Sequence, residues 1–68
     1  MGNGVFVPGT VIPVRQDDVT WGRITYTETV DGMMWRAEAK GREQWMFLGE
    51  EDTADDAQAL VLEFWELG

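Results

Sequence analysis

The feature that most constrains this chain is a single capped, one-sided helix pattern near its end. Thr53 is suited to cap a helix N-terminus, Asp56 stands three residues later as in a capping box, and Asp55 and Asp56 suit the positive end of the helix dipole. Ala57, Leu60, Val61, Phe64 and Trp65 then recur at i, i+3, i+4, i+7 and i+8, which draws one apolar stripe along a helix over residues 53–67. Leu62 falls off the stripe and is expected to be partly exposed. Burying the stripe is worth on the order of 10 kcal/mol before entropy, so the rest of the chain must supply an apolar surface to receive it.

That surface reads as a sheet. Asp31-Gly32 separates two β-prone runs, the signature of a two-residue hairpin with positive φ at both turn residues. It joins residues 19–30 to residues 33–40, and a second turn at Lys40-Gly41-Arg42 leads into residues 43–48. Met33, Trp35, Ala37 and Ala39 alternate with Met34, Arg36, Glu38 and Lys40, and the first set is the expected buried face, its alanines letting a helix approach closely. In the last strand Met46 and Leu48 alternate with Trp45 and Phe47, so both faces are apolar. Trp21 and Ile24 have opposite parity, and a bulge at Gly22 would bring them together. Residues 5–7 and 11–14 could add short pieces, which Pro8 and Pro13 confine to an edge. The expected architecture is α+β: a three-stranded antiparallel meander, with room for a short extra N-terminal strand, packed against one C-terminal helix. All 68 residues form one domain, with an extended segment over 1–18, the sheet over 19–49 and the helix over 53–67.

The charge is unevenly distributed. Residues 1–42 hold five acids and five bases, whereas residues 43–68 hold eight acids and no base, so the net charge of −8 belongs to the last third. A field of that sign repels nucleic acid and anionic lipid and attracts basic protein surfaces. The simpler reading is that it serves solubility alone. The chain contains no Ser, Cys or His, so the usual nucleophile and base arrangements are missing and no enzymatic activity is expected. The acids around position 52 lack the spacing of a calcium loop, no glycine-rich phosphate loop occurs, and no metal or cofactor is expected. The opening residues carry no signal pattern, and no apolar run approaches the roughly 20 residues of a membrane span, so the expectation is a soluble, cytoplasmic protein.

Residues 35–40, reading WRAEAK, and residues 47–60, reading FLGEEDTADDAQAL, resemble the DNA-binding domains of plant ethylene-response factors (Apetala-type) and the N-terminal arm-binding domains of phage integrases. The resemblance spans about residues 23–66 and implies a three-stranded sheet on one helix, with the sheet face away from the helix lying in a DNA groove. It places Glu38, Lys40 and Phe47 at contact positions. It departs from that pattern at Trp45, where an Arg is expected, at Gly32, where a Trp is expected, and at Glu51, where a Phe is expected. Five bases against thirteen acids also argue against nucleic acid as a partner.

Two candidate partner surfaces follow. One is an acidic edge formed by Glu50, Glu51, Asp52, Asp56, Glu63 and Glu66. The other is an outer sheet face formed by Met34, Arg36, Glu38, Lys40, Trp45 and Phe47, unless Val5, Phe6, Val7, Val11 and Ile12 fold over it. The expected function is a small acidic protein-binding module of phage or mobile-element type. It would imitate nucleic-acid charge to occupy the basic site of a host protein, as anti-CRISPR and anti-restriction inhibitors do. The alternatives are a sheet-face DNA-binding module and a structural protein that dimerises through Trp45 and Phe47. The expected state is a monomer or homodimer.

Overall fold

The computed structural model describes residues 7–67. Four strands are followed by one helix: β1 (Val11–Gln16), β2 (Val19–Thr29), β3 (Gly32–Lys40), β4 (Trp45–Glu51) and α1 (Ala54–Leu67). The strands lie in chain order and every neighbouring pair is antiparallel, with α1 packed on one face. The class is the expected α+β, but the sheet has four strands rather than three.

The additional strand comes from the N-terminal segment, where only short edge pieces over 5–7 and 11–14 were expected, and it runs through Gln16. Val11 pairs with Thr25 and Gln16 with Val19. The Gly9 and Tyr26 amides continue the ladder, donating to the Tyr26 and Thr10 carbonyls at 2.8 and 2.9 Å. Pro13 is compatible with this place because an edge strand has no further neighbour to require its missing N–H. What closes the hairpin is Asp17-Asp18, with φ of 56° and 65°. Short polar side chains tolerate the left-handed region, and two such residues in succession match the twist of the flanking strands.

At the Asp31-Gly32 turn the geometry differs from the expected one. Thr29 pairs with Gly32, and of the turn residues only Gly32 takes positive φ, at 104°. The two loop residues are Val30 and Asp31, one position earlier than expected, and glycine supplies the left-handed step that follows them. The Thr29 hydroxyl fixes it, accepting from the Asp31 amide at 3.0 Å and donating to the Gly32 carbonyl at 2.8 Å.

Two bulges set which side chains reach the helix. Val14 stands opposite Gly22 and Arg15 opposite Thr20, which leaves Trp21 as the extra residue, one position before the bulge expected at Gly22. Glu38 stands opposite Phe47 and Ala37 opposite Gly49, which leaves Leu48 as a second extra residue. Trp21 and Leu48 are both turned against the margin of the core.

The core consists of Val14, Ile24, Trp35, Ala37, Ala57 and Val61. Ala37 and Ala39 are fully buried, and their size admits the helix. Gly22 marks the closest approach, since a Cβ there would lie 2.7 Å from Val61 Cγ1 and would strike the Glu38 carbonyl. The Thr53 hydroxyl accepts from the Asp56 amide at 3.1 Å, which is the expected cap. Along the stripe Ala57 and Val61 are buried, Leu60 and Phe64 are half-buried, and Trp65 lies at the rim. Trp65 is anchored by its Nε1–H, which donates to the Trp21 carbonyl at 2.7 Å, with the two indole rings 5.2 Å apart. Leu62 is half-buried against the core margin.

Candidate functional site

Two broad surfaces remain once the core is accounted for. Strand pairing organises the first, the sheet face away from α1. Glu38 stands opposite Arg23 on one side and Phe47 on the other, while Arg36 stands opposite Glu50 and Lys40 opposite Trp45. The side chains use this register. Arg23 Nε donates to Glu38 Oε1 at 2.7 Å, and its guanidinium carbon lies 4.1 Å from the Trp45 ring centroid. Arg36 Nη2 donates to Glu50 Oε2 at 3.4 Å, and its guanidinium carbon lies 5.6 Å from the Phe47 ring centroid. Each arginine is thus held between a carboxylate and an aromatic ring. Exposed pairs of this kind stabilise by about 0.2–1 kcal/mol, and cation–π contacts add a comparable amount.

This face stays open among the described residues. Val7 and Val11 are exposed, and Ile12 turns toward the core, so β1 lies beside the outer face rather than over it. Val5 and Phe6, the other residues considered as a cover, lie outside the described residues. Phe47 remains 60% exposed and Trp45 37%, while Met34 is half-buried farther along β3, opposite Thr27.

The six residues of the expected acidic edge do not share one place. Glu50 belongs to the outer sheet face as the partner of Arg36. Glu51 stands opposite Trp35 at the end of β4, half-buried, and Asp52 is exposed in the connection to α1. Asp56, Glu63 and Glu66 are exposed on the helix, where about 100° per residue puts them within about 80° of one another. Asp55, also exposed, borders that sector. Among the described residues, both side-chain ion pairs lie on the outer sheet face and neither uses a helix carboxylate. No group of three acidic residues is placed to hold a metal ion among them.

Arg23 was absent from the candidate set although it anchors Glu38 and Trp45. Its signal is its parity with Thr25, on the side of β2 opposite buried Ile24. The Trp21–Trp65 pair was also missed as a unit. It lines a shallow cleft of about 270 Å³ with Gln16, Leu62 and Glu66. Both indole N–H groups there are engaged by main-chain carbonyls, Trp21 Nε1 donating to Gln16 O at 3.2 Å. No described helix is long and apolar enough to cross a membrane.

Comparison of the chain with protein-family models, with curated proteins and with solved structures returns no match.

Proposed function

We propose that this is a non-enzymatic acidic protein-binding module of phage or mobile-element type, acting in the host cytoplasm. Its helix would stand in for nucleic-acid charge at the basic site of another protein. The observation that carries this reading is the helix surface: Asp55, Asp56, Glu63 and Glu66 face solvent with no base on α1 and no ion pair to the sheet. A helix whose charge served solubility alone would usually interleave bases at i+3 or i+4, because such pairs stabilise it. Unneutralised carboxylates on a rigid rod instead favour a partner that supplies the cations.

The test is capture of candidate basic nucleic-acid-binding proteins on the immobilised chain, with duplex DNA as competitor. Retention should fall steeply with salt and with added duplex, and Glu63→Lys combined with Glu66→Lys should abolish it. Retention unchanged by that double substitution removes the mimic reading.

The second reading is a sheet-face DNA-binding module. It is favoured by Arg23, Arg36 and Lys40 sharing the open face with Glu38 and Phe47, two residues that the resemblance to integrase-arm and ethylene-response-factor domains implicates. It is weakened by Glu38 and Glu50, which already occupy the two arginines. A mobility shift with duplex DNA at low salt supports it, and its absence at tens of micromolar removes it.

A further inference from the structure

We infer that the outer sheet face is a self-association surface. On this inference two copies pack sheet against sheet through Trp45 and Phe47, with their acidic helices on opposite outer sides. It is independent of what the helix binds.

The argument begins with charge. The molecule carries −8 overall, so two copies repel across most approaches. The outer sheet face is the exception. By strand register it holds four cations, Arg15, Arg23, Arg36 and Lys40, and two carboxylates, Glu38 and Glu50. It carries none of the molecule's acidic excess, and a two-fold axis can bring Arg15 and Lys40, which lie outside the two ion pairs, toward the carboxylates of the other copy, as an isologous contact requires. Sheets packed face to face lie about 10 Å apart, and each helix sits beyond its own sheet. The acidic helices are then separated by well over the screening length of about 8 Å at physiological salt.

The second part is composition. Phe47 and Trp45 expose apolar area against arginines already held in place, the combination enriched at interface centres. Preorganisation lowers the entropy lost on docking. Extent is the third. Four strands about 4.8 Å apart and about eight residues long give a footprint on the order of 500 Å² per copy. The total of about 1,000 Å² lies at the low end of specific interfaces and fits a weak, concentration-dependent dimer.

Sedimentation velocity from micromolar to millimolar protein tests this. The wild type should move from monomer to dimer, and Trp45→Ala or Phe47→Ser should weaken association about thirtyfold while leaving the helical circular dichroism unchanged. Added salt should strengthen the dimer, because it screens the net repulsion, which is opposite to its effect on capture of a basic partner. The chain has no cysteine, so Thr25→Cys at the centre of the face should cross-link with a short bis-maleimide, and Ala59→Cys on the helix should not. A wild type that stays monomeric at millimolar concentration overturns the inference. So does a dimer that persists unchanged in Phe47→Glu, which would place the contact elsewhere, for instance along the β4 edge.

Discussion

On the sheet side each of two arginines lies between a carboxylate and an aromatic ring, whereas on the helix side four carboxylates point into solvent with no base on their own helix and, among the described residues, no ion pair. The difference follows from how each element assembles its neighbours. Antiparallel pairing brings together residues distant in sequence, so Arg23 meets Glu38 across fifteen positions and Arg36 meets Glu50 across fourteen. A helix face draws its neighbours from three or four positions away, and residues 43–68 contain no base to draw. Charge on the sheet side therefore contributes to folding, while on the helix side Asp55 and Asp56 serve the helix N-terminus and Glu63 and Glu66 are surplus to it.

The largest expected effect comes from forcing the two sides apart. Gly22→Ala places a Cβ against Val61 and the Glu38 carbonyl, and should cost about 3 kcal/mol in urea unfolding, with loss of the Trp21–Trp65 contact in near-ultraviolet circular dichroism. Next is removal of a paired carboxylate. Glu38→Ala strands Arg23 and should destabilise by just under about 1 kcal/mol, measured by the same unfolding experiment. Smallest and opposite in sign is removal of surplus carboxylates. Glu63→Lys with Glu66→Lys relieves repulsion and puts cations in the last helical turn, so it should raise stability by about 0.5 kcal/mol. If both carboxylate changes destabilised equally, the contrast between the sides would be lost.

How much of this was legible in the sequence depends on the range of the interactions involved. The helix was readable because its cap and stripe are local: Thr53 bonds the Asp56 amide, and the stripe places Ala57 and Val61 in the core. The alternation of β3 was readable for the same reason, with Trp35, Ala37 and Ala39 buried. The fourth strand was legible only as short edge pieces over 5–7 and 11–14, because Pro13 marks an edge without saying that the edge is filled. Its hairpin rests on two aspartates in the left-handed region, a conformation more often signalled by glycine or asparagine. Bulge positions depend on which residue the core admits, so the break in β2 was anticipated near Gly22 but sits at Trp21. The candidate site was the least legible part. Composition correctly located the surplus charge in the last third, but only strand register shows that Glu50 belongs to Arg36 rather than to the helix side.

The central claim is that the unneutralised helix face, and not the sheet, is where a basic partner binds. The most direct measurement is a heteronuclear NMR titration of the labelled protein with a short oligoarginine peptide at low salt. The account predicts amide shifts concentrated at Asp55, Asp56, Ala59, Glu63 and Glu66, and lost on adding salt. Shifts concentrated instead at Arg23, Arg36, Trp45 and Phe47, or spread evenly over both surfaces, would contradict it.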